Sequence, residues 1–298
     1  MSWFKQIFGT EEDIAKISVN GKIITVNNKQ YHLGEFLIVR PNSTKIPYHV
    51  YHPARLSNIV GEISQLQSNI SNNRATFQVA SQFNAQEYVS PIVVLNTITP
   101  YINDKTQGPA ASISCAPAAL YRNYYLKSLN MLDIFERLIG NNGNKYFVMK
   151  NGYLLSTIDR LILLNDYLRS ISADSRTVLK NCIKTVVVYN TQVVPSNQLI
   201  TQVYCSAPAI SYSPNNIPAD LWIPLTTLIL EAHYESTFIA AIRSASSNVG
   251  YIGSNKLYLT TIGGGVFGVD RQLIHSIIIN TFNKYKQYSL DVYIVTFG

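Results

Sequence analysis

Apolar residues along this chain recur either at every second position or at helical spacing, and the two patterns alternate. Residues 17–40 alternate apolar and polar side chains around Asn20-Gly21 and Asn27-Asn28, which predicts short antiparallel strands joined by tight turns. Residues 41–75 are polar and irregular, with one helix expected around Leu56–Ile70. "ATFQVASQFN" (75–84) reads as a buried strand ending in polar residues. A long connection punctuated by Pro91, Pro100, Gly108 and Pro109 leads into a helix predicted over "AASISCAPAALYRNYYL".

Residues 128–140 show helical spacing and a closing glycine, and "KYFVMKNGYLLS" predicts a hairpin with Asn151-Gly152 at its turn. Helices are then expected over 158–171, 173–183, 222–245 and 270–286. Strands are expected over 183–190 and 198–207, at "KLYLTTIG", and over 290–297. Strands alternating with helices predict an α/β fold in which a mixed sheet is covered on both faces. No internal repeat or low-complexity linker divides the chain. The simplest organisation is a domain over 75–298, with residues 1–74 as a β-rich N-terminal elaboration packed on its core.

Composition narrows the setting. Charged residues make up 14% of the 298 residues, so much of the polar surface falls to Asn, Ser, Thr and Gln. The formal net charge of +7 favours anionic partners. No run of Lys and Arg forms a nucleic-acid patch. Cys115, Cys182 and Cys205 are odd in number and lack metal-ligand spacing, which predicts reduced thiols and a cytoplasmic working place. No stretch approaches 18 uninterrupted apolar residues, so no membrane span is expected. "MSWFKQIFGTEED" is too acidic and too short in apolar run for a signal peptide, and reads as a short helix that packs on the core.

"YLTTIGGGVFGVDRQLIHSIIINTF" (258–282) carries the strongest chemical signal. An apolar strand breaks into Gly263, Gly264 and Gly265, followed by Val266, Phe267 and Gly268, and a helix starts after Asp270. Glycines let a backbone approach an oxyanion, and a helix N-terminus offers free N–H groups and a positive dipole end. The spelling Gly263-x-Gly265-x-x-Gly268 also satisfies the dinucleotide fingerprint, but only one helix and one strand follow it, where a dinucleotide fold needs several more units. Asp291, the later acid that could stand for the ribose partner, begins the final strand, away from the ligand edge. No Gly-Lys-Ser/Thr follows, which removes a Walker loop. Asp270 is placed to cap the helix, whose inner stripe is Leu273, Ile274, Ile277, Thr281, Phe282 and Tyr285.

"GGGVFGVDRQLIHSIIINTFNKYKQYSLDVYIVTFG" resembles the C-terminal half of macrodomains, ADP-ribose-binding modules of three-layer α/β/α form. A narrower resemblance over residues 75–298 rests on "ASQFNAQE", "DKTQGPA", "LYRNYYL", "MKNGYLLS", "NTQVV", "LITQVYCSAPAISYS" and "LILEAHYESTFIAAI". These look like a divergent macrodomain group that includes bacterial effector hydrolases acting on ADP-ribosylated arginine. The resemblance implies ADP-ribose as ligand or product, an ADP-ribosylated protein as partner, and no cofactor or metal. It implies that the second loop wraps the diphosphate through N–H groups of Gly264, Gly265, Val266 and Gly268, with Phe267 beside the distal ribose. The usual Asn-Ala-Ala-Asn stretch is replaced by Ser81-Gln82-Phe83-Asn84, and the usual first glycine-rich loop by Asp104–Ala110.

Hydrolysis of an ADP-ribosyl bond needs a carboxylate to place or activate water beside an oxocarbenium-like ribose. Asp104, in the first loop, is the first candidate and Glu87, just past a strand end, the second. Asn84 and Gln107 are candidates for hydrogen bonds to ribose or adenine. Gly108 belongs to the same loop, and Arg122 is a candidate phosphate partner by its fork geometry, or else a helix-surface ion pair. Glu231 and Glu235 share a helical face in an apolar helix, which fits either acid/base work or a buried carboxylate. His32, His49, His52 and His275 are scattered without zinc spacing.

Overall fold

The computed structural model describes residues 1–43, 52–126, 128–194, 196–214 and 216–296, so His49 and Phe297 lie outside the described residues. The N-terminal segment opens with helix α1 (Trp3–Phe8) and a three-stranded antiparallel meander, β1 (Ile17–Asn20), β2 (Ile23–Val26) and β3 (Lys29–His32). Its turns fall at the Asn and Gly pairs expected, with Gly21, Asn27 and Asn28 in the left-handed region. Phe4 and Phe8 of α1 are buried, so the short helix packs on the core.

Seven strands form the central sheet in the order β4 (Glu35–Val39), β9 (Thr185–Gln192), β10 (Leu199–Cys205), β6 (Thr76–Ala80), β11 (Lys256–Thr260), β12 (Asp291–Thr296) and β5 (Arg55–Val60). Only β9 runs against its neighbours; the rest are mutually parallel. The central strands β9, β10 and β6 are buried on both faces, which is why β9 reads "TVVVY" without a polar alternation. Val187 and Tyr189 pack with helices α8 (Ala219–Ser247) and α9 (Arg271–Tyr285). Val186 and Val188 join a second cluster on the opposite face with α3 (Gln107–Ser114). This is the mixed, double-covered α/β sheet expected from the alternation of element types.

Both outer strands, β4 and β5, come from residues before 75, so the segment expected as an elaboration also completes the sheet. Strand β5 replaces the first third of the helix expected over Leu56–Ile70, and the helix that remains is the short α2 (Ile63–Ser68). The reason is non-local: β5 pairs with β12, Arg55 opposite Asp291, where their side chains form an ion pair of 2.8 Å. The helix expected after Pro109 is likewise two helices, α3 and α4 (Ala116–Tyr125), broken at Cys115. Pro117 lacks the N–H that would continue the first helix and suits the first turn of the second.

The remaining elements are α5 (Asp133–Ile139), the hairpin β7 (Val148–Lys150) and β8 (Tyr153–Leu155), α6 (Ile158–Ser170) and α7 (Ala173–Cys182). Asn151 and Gly152 turn the hairpin with positive φ. Glu235 is buried in α8 and takes Lys180 of α7 at 2.5 Å and Lys284 of α9. That pairing ties three helices together and gives Glu235 a structural role. Among the described residues no helix is long and apolar enough to cross a membrane.

Candidate active site

Six parallel strands end on one edge of the sheet, and the connections that leave β6, β10 and β11 there enclose a cavity of about 740 Å³. The carboxyl ends of parallel strands are where open α/β sheets place ligands, and the volume suits a ligand of nucleotide size. Glu87, Asp104, Gln107, Gly108, and Gly263 to Phe267 all line it. Asn84, Arg122, Gly268 and Asp270, also expected at the site, do not.

The loop after β11 folds on its glycines. Gly263 has φ +80°, and a Cβ there would lie 2.7 Å from both Ala207 Cβ and Val269 Cγ2. Gly263→Ala is therefore expected to lower stability by about 1–3 kcal/mol, measured by urea unfolding. The N–H of Gly264 donates to the Thr261 carbonyl (2.9 Å), and that of Gly268 to the Gly265 carbonyl (3.1 Å). Two of the four expected phosphate donors are thus consumed inside the loop, because a turn this tight satisfies its own carbonyls. The N–H groups of Gly265 and Val266 have no partner among the described residues, and both residues are exposed.

Asp270 is a helix cap: its Oδ1 accepts from the Leu273 N–H at 2.7 Å, as its position predicted. Arg271 donates from Nε to the Gly264 carbonyl at 3.3 Å and lines the cavity, one helical turn before His275. Neither was singled out from sequence, although their i, i+4 spacing directly after the glycine loop was visible there. Arg271 adds positive charge beside the free N–H groups.

The opposite wall carries the acids. Asp104 ends a 3₁₀ turn (Thr99–Asn103), and its Oδ1 accepts from the Thr106 N–H at 2.9 Å. Thr106 gives α3 no side-chain cap, so the first N–H groups of that helix, on Gln107 and Gly108, have no partner among the described residues. Gln107 turns its Oε1 elsewhere, accepting from the Ile63 N–H at the start of α2 (3.0 Å). Gly108 has no room for a side chain, since a Cβ would come within 2.7 Å of the Ala80 carbonyl and of Glu87 Oε2.

Glu87 is 3% exposed. Its Oε1 accepts from the Ser112 hydroxyl (3.2 Å) and lies 3.5 Å from the Arg122 guanidinium. Burial pushes its pKa up to about 8, with Arg122 and Ser112 pulling down and Asp104 adding to the rise. Arg122 does not offset the burial, because it divides its charge among several partners. The guanidinium also donates to the Ala85 carbonyl and to Ser112 Oγ (2.7 Å), and stacks 3.9 Å over the Tyr204 ring. Arg122 is fully buried, so it is neither a phosphate partner nor a surface ion pair. It anchors the loop that carries Glu87.

Asn84 shapes that same loop. Its Oδ1 accepts from the Gln86 N–H at 3.1 Å, around Ala85 with φ +58°. Between the two walls stands an aromatic group that sequence reading missed apart from Phe267. Tyr153, Tyr212 and Phe267 have ring centroids 5.1–5.9 Å apart. They come from the β7–β8 hairpin, the loop after β10 and the glycine loop, so no local pattern joins them. Burial raises the pKa of both tyrosines, and the charge of Asp104 adds to each rise.

Burial also pushes the Cys205 thiol up to about 12 and the Cys182 thiol to about 11, which leaves them poor nucleophiles. No group of three His, Cys, Asp or Glu among the described residues could hold a metal ion.

No protein-family model matches the sequence, and no curated protein matches it. Among solved structures the chain is similar to poly(ADP-ribose) glycohydrolase from Deinococcus radiodurans in complex with ADP-ribose. That likeness has 9% identity and a TM-score of 0.39, over 82% of this chain and 78% of that one. It is also similar to the Oceanobacillus iheyensis macrodomain with MES bound, at 9% identity and a TM-score of 0.34, over 88% of this chain and 89% of that one. Similarity at this level says nothing about chemistry, which the chain's own residues must carry.

Proposed function

We propose that the cavity binds ADP-ribose and that the protein hydrolyses the bond joining ADP-ribose to a modified protein side chain. The observation that carries this reading is the division of one cavity into two chemically distinct walls. Unpaired N–H groups of Gly265 and Val266 with Arg271 stand on one side; Asp104 and Glu87 stand on the other. A diphosphate fits the first wall, because N–H groups and a guanidinium complement its charge. The distal ribose then reaches the acids.

The two carboxyl groups suit different tasks. Glu87, kept protonated by burial, supplies a proton to the leaving nitrogen. Asp104 takes the proton of the attacking water as the water oxygen bonds to the anomeric carbon. Arginine is the side chain favoured here, because Tyr212, half-buried, and Asp104 line the same cavity and offer a planar cation a ring face and a counter-charge.

The test is incubation with an arginine-ADP-ribosylated protein, scored for free ADP-ribose, with ADP-ribose binding followed by calorimetry. Binding without release would make the domain a non-catalytic reader; neither binding nor release overturns the reading. A pH profile follows from Glu87. Its folded pKa of about 8 stands above the ordinary 4.5, so the native state holds the extra proton between those values. Turnover is therefore expected to fall as pH rises through about 8. The stability Glu87 contributes is full below about 4.5 and is lost over the same rise. Glu87→Gln, compared with wild type from pH 6 to about 9, should lower the rate and remove that alkaline limb. An alkaline limb that persists unchanged would remove Glu87 as the proton donor.

A further inference from the structure

The 3₁₀ turn Thr99–Asn103 that presents Asp104 has no side-chain cap from its own neighbours. Ile98 at its start supplies no side-chain cap, and Pro100 has no N–H. The cap comes from Glu12 of the N-terminal segment. Glu12 Oε1 accepts from the Ile98 N–H (2.8 Å) and from the Tyr124 hydroxyl (2.8 Å). Its Oε2 accepts from the Thr99 N–H (2.7 Å) and the Thr99 hydroxyl (2.7 Å). Trp3 adds a bond from Nε1 to the Thr99 carbonyl at 2.8 Å. Phe4 and Phe8 of α1 pack in one cluster with Ile98 and Tyr101.

The turn is tied in the other direction to the second acid. The Tyr101 hydroxyl donates to Gln86 Oε1 (3.4 Å), one residue before Glu87, and the Gln86 amide donates to the Arg122 carbonyl (2.6 Å). Four hydrogen bonds onto one carboxylate are far more than an exposed loop needs for its own order. Three of them hold the start of the arm that leads to the cavity acid, and the fourth ties that start to Tyr124 of α4.

We infer that the N-terminal segment serves as a clamp for the candidate active site, with Glu12 as a positioning residue that fixes Asp104 through the 98–103 arm. The inference rests on the hydrolase reading, since it assigns Glu12 an effect on turnover through Asp104. A carboxylate must lie within a fraction of an ångström of its working position to activate water, while a diphosphate held by the opposite wall does not sense the arm.

Glu12→Gln keeps the side-chain shape but turns one of the two accepting oxygens into a donor, so one pair of bonds is lost. It is expected to lower kcat about tenfold, with ADP-ribose Kd held within about twofold. Trp3→Phe removes one hydrogen bond and keeps the aromatic packing; it is expected to give a smaller fall of the same kind. It serves as the reading if Glu12→Gln does not fold. The deciding measurement combines each change with Asp104→Ala. With Asp104 absent there is nothing left to position, so the second change should add no further loss. Losses that multiply in the double variant, an unchanged kcat in both single variants, or a parallel fall in ADP-ribose affinity would overturn the clamp. A wild-type protein that releases no ADP-ribose overturns the hydrolase reading as well, and shows it before any variant is made.

Discussion

Gly265→Glu should abolish ADP-ribose binding and leave the fold intact. A Cβ at Gly265 meets nothing within 4 Å, and its φ is not in the left-handed region, so a side chain is accommodated without strain. The same residue carries a loop N–H group without a partner among the described residues. A glutamate there puts a negative charge beside the place proposed for the diphosphate and competes for Arg271. A loss of at least about a hundredfold in affinity is expected, since like-charge juxtaposition costs several kcal/mol. Calorimetry reads the loss, and an unchanged melting temperature confirms the fold. Affinity within about threefold of wild type would place the ligand elsewhere. Gly263 and Gly268 cannot serve for this test, because their positive φ and close neighbours confound binding with folding.

Asp104→Ala should separate chemistry from binding. The side chain lines the cavity from the end of an arm held at its base by Glu12, so its removal leaves the backbone support in place. Turnover is expected to fall by about 10²–10⁴-fold, the range contributed by a positioned general base. ADP-ribose affinity should stay within about threefold, because the loss is confined to the transition state. Asp104→Asn, which can keep the bond from the Thr106 N–H, should lose as much. That result would assign the effect to the charge and its proton affinity, with loop shape excluded. A turnover rate equal to wild type in either variant would remove Asp104 from the chemical step.

The mistaken and missed residues share one cause. Leu56–Ile70 carried enough helical spacing to read as a helix, yet its first third is a strand because β12 pairs with it across 236 residues. Arg122 looked like a phosphate ligand from its fork geometry. Packing against Tyr204, Ser112 and the 85–87 loop buries it completely and makes it an anchor. Tyr153 and Tyr212 meet Phe267 only because a hairpin and two strand-end loops converge. None of these arrangements leaves a trace within a window of ten or fifteen residues.

What the sequence by itself determined is local. The alternation of strand and helix periods set the α/β class. The apolar strand, three glycines and Asp270-capped helix announced a loop built for close approach, because backbone freedom and N-capping act within a few residues. Which N–H groups stay free, which acid is held protonated and which faces solvent, and what the first 33 residues contribute were decided only by tertiary structure. Burial, charge coupling and the closing of a cavity are sums over residues distant in the chain. The Glu12 carboxylate reaches the turn before Asp104 across 86 positions of sequence, and nothing in either segment alone names the other.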